Sequence, residues 1–309
     1  MTRAFTLAQL RYFEAVADCE SITEAAARLN VAQSTVSTAL GLLEESLGVQ
    51  LFIRQPNRTL VLSSAGRRLA AENSAFLDHA DALYASAQGV SNALTGSVRV
   101  GIYAPIAPFR LPGILVEFEQ QYPEVQVDFF EADLATLQTA LLSGECEIAL
   151  MYAHGLGPEF EARLLDQVPP HVLVSAEHAA ARRGRSVSLA DFADEPYIRL
   201  DLPHSRKYYE DLFGIAGVRP KLRHSFTGYE TVRSFVGMGH GYTLLNQWHV
   251  PQTYAGALTA SLPLTDDFPP IEVVLAWPGQ MRLTRRARAF AEVCEGLYRQ
   301  RQQGAGGAP

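Results

Sequence analysis

Apolar residues recur at intervals of three and four near the start of the chain. Leu7, Leu10, Phe13 and Val16 share one helical face, which predicts an amphipathic first helix. The run Ser21-Ile-Thr-Glu24 has the spacing of a capping box and opens a short second helix ending at Leu29. Asn30, which tolerates the left-handed backbone region, stands at its end. A third helix is predicted over 33–47. Val36, Leu40 and Leu43 lie on one face and Gly48 stops it. Residues 51–54 and 59–62 then read as two short strands around the turn Gln55-Pro-Asn-Arg58.

From 65 to 94 the pattern becomes one long helix. Leu69, Phe76, Leu83 and Val90 are seven apart, and Asn73, Ala80, Ala87 and Leu94 lie four further on. A near-heptad seam of this length predicts a helix that pairs with another chain. Gly96 breaks it. Beyond, strands at 98–103, 125–131 and 148–152 alternate with helices through Phe118 and over 134–143. A second series has strands at 172–175, 197–200, 221–225 and 242–245, with helices after His204 and over 229–238. A strand at 271–276 and a helix at 283–299 close the chain. This alternation predicts parallel α/β sheets. The expected organisation is a head (1–64), a linker and dimerisation helix (65–94) and a body (95–302). Within the body, lobe I takes about 95–166 and 270–302, and lobe II about 167–269. Residues 303–309, mostly Gly, Ala and Pro, are expected to be a disordered tail.

Composition narrows the class. With 309 residues, 48% hydrophobic and 19% charged, the chain has enough apolar mass for real cores. Arg3, Arg11 and Glu14 interrupt the early apolar run, and no stretch of about 18 apolar residues occurs, so neither a secretion signal nor a membrane span is expected. Cys19, Cys146 and Cys294 are few and far apart, which fits a reducing cytoplasm. The net charge of −7 is uneven. Residues 1–68 carry seven arginines against six acids, whereas the remainder carries nineteen bases against twenty-seven acids. An acidic body repels phosphate, so DNA contact is expected from the N-terminal piece.

The third helix explains how. Residues 32–43 hold no charged side chain but present Gln33, Ser34, Thr35, Ser37 and Thr38. Two helices joined by a short turn, the second lined this way, form a helix-turn-helix. Short hydroxyls allow close approach to the major groove, and Gln33 can bond adenine through two hydrogen bonds. The phosphate backbone is left to Arg54 and Arg58 around the wing turn and to Arg67 with Arg68 beyond it.

These stretches resemble the N-terminal domain of LysR-type transcriptional regulators, a bacterial family. The resemblance rests on LAQLRYFEAVAD, SITEAAARLNVAQSTVSTALGLLEESLGVQLFIR and LVLSSAGRRLA. It continues more loosely through FEQQYPEVQVDFFE, LLSGECEIALM and FVGMGHGYTLLN. It implies a multidomain α/β protein: an N-terminal winged helix-turn-helix, a long linker helix and a C-terminal effector domain of two Rossmann-like lobes, similar to periplasmic binding proteins. It also implies homodimers that join as dimers of dimers on double-stranded operator DNA, with RNA polymerase as a further partner. Ala26, Gln33, Ser34, Thr35 and Ser37 match the DNA-reading segment, with Ala26 structural. Thr38 stands where arginine is frequent, Arg54 matches the wing arginine, and Ser63-Ser-Ala-Gly66 matches the start of the linker helix.

The resemblance further implies a small-molecule co-inducer between the lobes. Its first contact loop falls on Tyr103, Ala104 and Pro105, and the next on Asp133. Tyr152 ends the following strand. In lobe II, Arg199, His204 and Ser205 surround a strand-to-helix junction, where Ser205 is expected to cap the helix and Arg199 either to meet a carboxylate or to pair with Asp201. Thr227, Tyr229 and Asn246 complete the set. Pro105 and Asp133 depart from the hydroxyl-bearing residues usual in the family, and the tyrosines point to an aromatic or partly apolar ligand. No cofactor or metal is expected, for HExxH and Cys/His ligand spacings are absent. An enzyme is disfavoured: GMGHG at 237–241 precedes a strand instead of following one, and no GxSxG occurs. A solute-binding protein would leave residues 1–95 unexplained. A thiol-based redox sensor of the same architecture, using Cys146 and Cys294, is the alternative.

Overall fold

The computed structural model describes residues 5–54, 60–88 and 94–305. Three helices, α1 (Leu7–Cys19), α2 (Ile22–Arg28) and α3 (Gln33–Leu47), and a two-stranded wing, β1 (Phe52–Arg54) and β2 (Leu60–Leu62), build the head. Leu10, Phe13, Val16, Ala25, Val36 and Leu43 form its core. Asn30 and Gly48 both take positive φ, +54° and +70°, as the breaks after α2 and α3 require. The two-way capping box sits at Thr6 and Gln9, opening α1. At Ser21 the expected box is one-way. Its hydroxyl accepts from the Glu24 amide at 3.3 Å, while the Glu24 side chain faces solvent. Glu44 ties α3 to the wing by accepting from the Leu51 and Phe52 amides at 2.7 and 3.3 Å.

The long helix α4 runs Ser64–Gln88. Residues 89–93, and with them Val90 of the seam, lie outside the described residues. Its first turns belong to the head: Leu69 and Leu77 join the head core, and the Asn73 amide donates to the Leu10 carbonyl at 3.3 Å. On another face of the helix Phe76 is exposed, and so is Leu83 further along.

Lobe I comprises β3 (Gly96–Tyr103), a 3-10 turn (Ala104–Ile106), α5 (Ala107–Gln121), β4 (Val125–Ala132), α6 (Leu134–Ser143), β5 (Ile148–Tyr152) and β6 (Phe160–Val168). Lobe II follows with β7 (His171–Ser175), α7 (Ala179–Arg183), a 3-10 turn (Leu189–Phe192), β8 (Pro196–Leu200), α8 (Pro203–Ala216), β9 (Lys221–Phe226), α9 (Tyr229–Gly237), β10 (Thr243–Leu245) and β11 (Thr259–Pro263). The chain then returns to lobe I as β12 (Ile271–Pro278) and α10 (Arg285–Ala305). The four residues after Ala305 are outside the described residues.

The lobe I sheet has the order β4-β3-β5-β12-β6. In lobe II, β10-β7-β11 and β8-β9 are joined by a parallel bridge between Tyr197 and Tyr242, giving the matching order β9-β8-β10-β7-β11. Both sheets are mixed, which corrects the expectation of purely parallel ones. β12 runs antiparallel to β5 and β6, and β7 runs antiparallel to β10 and β11. The strand β6 escapes the sequence pattern because Glu161, Ala162, Arg163 and Leu164 face solvent in succession, so no apolar alternation marks it.

The junction of wing and linker helix depends on a close approach at Gly66. A Cβ there would lie 2.1 Å from the Leu51 carbonyl oxygen. Ser63 fixes the same corner by donating to the Gln50 carbonyl (2.6 Å) and accepting from the Gly66 amide (3.0 Å). Gly66→Ala is expected to cost about 1–3 kcal/mol by overpacking, seen as a lower unfolding midpoint in thermal denaturation. An unchanged midpoint would mean that the corner can spread.

Candidate DNA-binding and effector-binding sites

The buried face of α3 determines what its other face offers. Val36, Leu40 and Leu43 are sunk in the head, so Gln33, Ser34, Thr35, Ser37 and Thr38 all face solvent. Ala32, the residue before the helix, supplies no side-chain cap. The leading amides are therefore left to an outside acceptor, for which a helix N-terminus is electrostatically suited. Arg67 is exposed and donates to the Leu62 carbonyl at 2.8 Å and the Ser64 hydroxyl at 3.4 Å. Arg54 ends β1, and Arg58 lies outside the described residues.

The crevice between the lobes is bridged by side chains of the protein itself. The Tyr103 hydroxyl, at the end of β3, hydrogen-bonds Ser205 in the first turn of α8 at 3.3 Å. The Tyr103 ring packs on Tyr152, with centroids 5.1 Å apart. Tyr152 in turn accepts from the Gln247 amide at 3.1 Å. Gln247 Oε1 accepts from Arg110 of α5 at 3.2 Å, and Arg110 pairs with Asp166 at the end of β6 at 3.0 Å. Alongside, Asn246 donates to the Val168 carbonyl (2.9 Å) and the Tyr208 hydroxyl (3.1 Å), and accepts from Tyr209 (3.0 Å). A third bridge is aromatic: Phe109 of α5 meets Tyr229 and His249 edge-on at 5.8 and 5.7 Å. The Tyr229 hydroxyl donates to the Gln247 carbonyl at 3.2 Å and shares a short bond with His249 Nε2.

Of the residues singled out from the sequence, Tyr103, Tyr152, Ser205 and Tyr229 therefore meet in one network, and Asn246 belongs to a second one with Tyr208 and Tyr209. Others are placed differently. Arg199 bonds the Ser225 hydroxyl at 3.1 Å and faces Asp201 and Glu210 at 3.5 and 3.9 Å. Asp133 caps α6, accepting from the Thr136 amide at 2.9 Å. Ala104 and Thr227 are exposed and Pro105 is half-buried. Ser205 does not cap α8, contrary to expectation. The helix begins earlier, at Pro203, whose preset φ suits the first helical position, and Leu202 precedes it without a side-chain cap. The His204 side chain is outside the described residues. Phe109, Arg110, Gln247 and His249 were not anticipated. A signal existed for Arg110: it is the lone charge in Ala107–Val116, otherwise made of apolar residues and glycine.

Two family models account for most of the chain. The bacterial regulatory helix-turn-helix model of the lysR family matches residues 7–67, and the LysR substrate binding domain matches 91–298. This chain belongs to the LysR family. It is thus a DNA-binding transcriptional regulator with an effector-binding domain, in a family of regulators and not of enzymes. HinK, a LysR family regulator from Pseudomonas aeruginosa, is similar in structure, with a TM-score of 0.64 and 33% identity, covering 96% of this chain and 99% of that one. A hydrogen peroxide-inducible genes activator from Dickeya chrysanthemi is 28% identical over 247 residues, 79% of each chain. An HTH-type transcriptional regulator from Escherichia coli, YnfL, is 26% identical over 292 residues, 92% of this chain and 96% of that one. Among the described residues of this LysR-type regulator, no helix is long and apolar enough to cross a membrane, and no group of His, Cys, Asp or Glu is arranged to hold a metal.

Burial pushes the Tyr103 hydroxyl above the usual phenol range and the Tyr152 hydroxyl well above it. It lowers His171 to about 4, and lowers His249 to about 3 with help from Arg233 and His171. Both histidines are therefore neutral in the folded protein at neutral pH. Below the ordinary value of 6.5 the unfolded chain takes up these protons while the fold refuses them. Stability is complete above that value and is lost as pH falls toward 4 and 3, by up to about 1.4 kcal/mol per pH unit for each histidine. The unfolding midpoint is expected to drop between neutral pH and pH ~5, and less steeply in His249→Gln. Equal slopes in the native protein and the variant would show that His249 titrates normally within the fold.

Proposed function

We propose that this regulator reads base edges with Gln33, Ser34, Thr35, Ser37 and Thr38, while Arg54, Arg58 and Arg67 hold the phosphates. The uncapped, uncharged face of α3 supports this reading. Two heads are brought to two half-sites by pairing of the linker helices through Phe76, Leu83 and Val90. The exposure of Phe76 and Leu83 supports that pairing. Leu69 packs into its own head and sets the helix's orientation. The functional units are 1–64, 65–94 and 95–302. The protein works in the cytoplasm without catalysing a reaction, as a dimer or dimer of dimers, and conveys its state to RNA polymerase.

The effector binds between the lobes among Tyr103, Ala104, Pro105, Asp133, Tyr152, Arg199, His204, Ser205, Thr227, Tyr229 and Asn246, joined by Gln247 and Arg110. The observation that carries this reading is the bridge from Ser205 through Tyr103 and Tyr152 to Gln247 and Arg110. It holds the lobes by bonds that a ligand's own polar groups can replace. A co-inducer that prefers one lobe angle shifts the population toward it, and acts only by that difference in affinity. The aromatic lining suits a small molecule with a ring and hydroxyl or amide groups.

The thiol-based reading has less support, although several relatives are named as peroxide-inducible activators. Cys146 and Cys294 are buried, and burial pushes the Cys146 thiol to about 12 and Cys294 higher still. Such thiols are poor nucleophiles.

Gln33→Ala or Thr35→Ala is expected to weaken specific operator binding by about 1–3 kcal/mol and relax base preference. An equal loss on random DNA, read by competition binding, would remove these residues from base recognition. In a thermal-shift screen of small aromatic metabolites, hits should stabilise the full chain, and Tyr103→Phe should diminish the shift while leaving operator affinity intact. Hits that stabilise Tyr103→Phe and Gln247→Ala as strongly as the native protein would place the ligand elsewhere.

A further inference from the structure

The head and lobe I share no apolar core. Among the described residues the head cluster stays within residues 10–77, and the large cluster of the body begins at Leu94. What crosses the joint is charge. Asp18 of α1, which also pairs with Arg28 at 2.9 Å, reaches Arg99 of β3 at 3.5 Å. Asp78 of α4 pairs with Arg286 of α10 at 2.7 Å. The two contacts differ in weight. The Arg99 side chain is half-exposed and its pair is long, so water screens it. The Asp78 and Arg286 side chains are only 12% and 15% exposed. A pair so far removed from water leaves an uncompensated charge behind when one partner goes.

Asp78 does more than pair. The leading amides of α10 need acceptors. The Thr284 hydroxyl takes the Ala287 amide at 3.1 Å. The Arg285 amide donates at 3.2 Å to the other carboxylate oxygen of Asp78, which stands 207 positions earlier, on the linker helix. A carboxylate there also meets the positive end of the helix dipole. Arg286 gathers the remaining pieces. Besides meeting Asp78, its guanidinium donates to the Ser74 hydroxyl of α4 at 3.4 Å and to the Thr95 carbonyl at 3.3 Å. It lies so close over Gly96 that a Cβ there would stand 3.3 Å from its Nη1. One side chain thus draws together the linker helix, the entry to β3 and the start of α10. The exposed Phe76 and Leu83 lie two positions before Asp78 and five after it. At about 100° per residue they project from the far side of α4 and stay uncovered.

Among the described residues, every hydrogen bond and ion pair that leaves the head and α4 ends on lobe I. We infer that Asp78 and Arg286 clamp the head and linker helix onto lobe I, so that these form one rigid body and lobe II is the part that swings when the crevice changes its occupant. The crevice reading supplies only the driving event; the clamp stands on contacts elsewhere in the chain. The exposed face of α3 then keeps a fixed bearing on lobe I, and the two states of the regulator differ in where lobe II lies against that frame.

Both tryptophans, Trp248 and Trp277, lie in the effector domain, whereas the head and α4 are mostly helical. Tryptophan fluorescence therefore follows the body, and helical circular dichroism follows head and body together. In thermal melts of the full-length protein the two midpoints are expected to coincide, as one cooperative unit requires. Asp78→Asn, which is near-isosteric, should split them, with a first loss of helix about 4–8 °C or more below the fluorescence midpoint. Asp78→Arg combined with Arg286→Asp should bring them back together. Midpoints that already differ in the native protein would overturn the proposal. So would an Asp78→Asn protein in which both midpoints fall together, for the pair then stabilises the fold without clamping it, or a charge swap that leaves the split in place. Hydrogen exchange of the native protein against denaturant needs no variant. The amides of residues 74–78 and 285–288 are expected to open together, and earlier opening of the linker helix would also defeat the clamp. None of these readouts involves an effector, so their failure leaves the crevice reading untouched.

Discussion

Val36, Leu40 and Leu43 cannot be solvated in the folded head, and that constraint fixes the rotation of α3 about its axis. Once those three side chains are sunk against α1 and α2, the opposite face has no freedom in what it shows. The chain uses that face for hydroxyls and one amide. Glu44, one position past the buried stripe, then carries the same helix into the wing through two backbone amides. Burial of a few methyl groups thus sets the geometry of a polar surface, and the wing arginine at the end of β1 takes its place from the same helix.

The effector domain follows a different logic. Its two sheets repeat one strand order, and one apolar cluster runs from lobe I into lobe II. At the crevice, phenols, amides, one ion pair and an aromatic contact also join them. Each such bond is worth only a modest net free energy, since water or a ligand can substitute for it. A closed arrangement held in this way is easily re-partnered. The two neutral histidines and the raised tyrosines mark the interior as dry, which strengthens every polar contact inside it.

The head was legible from sequence because its information is local. Helical periodicity, an asparagine at a left-handed turn and a glycine stop specify it within sixty residues, and Gln33 to Thr38 could be named before any coordinates. The body was legible where strands are apolar on both faces, as at Ile148–Tyr152, and illegible where they are not. β6 exposes a run that reads as loop, and the antiparallel direction of β12 depends on a partner more than a hundred residues away. The crevice was half legible. Tyr103 and Asn246 sit at strand ends, where sequence reasoning looks. Arg110 and Gln247 were missed because each acquires its role only from the other, across 137 residues of chain. Ser205 was assigned a capping role that Pro203 makes unnecessary.

The polypeptide passes between the lobes twice, once after β6 and once before β12. Two parallel tethers act as a door's pair of hinges: they resist torsion and sideways sliding, and leave bending about a single axis as the soft direction. Whatever settles in the gap can therefore send only one kind of message, an opening angle, and the remainder of the assembly needs to read only that one coordinate.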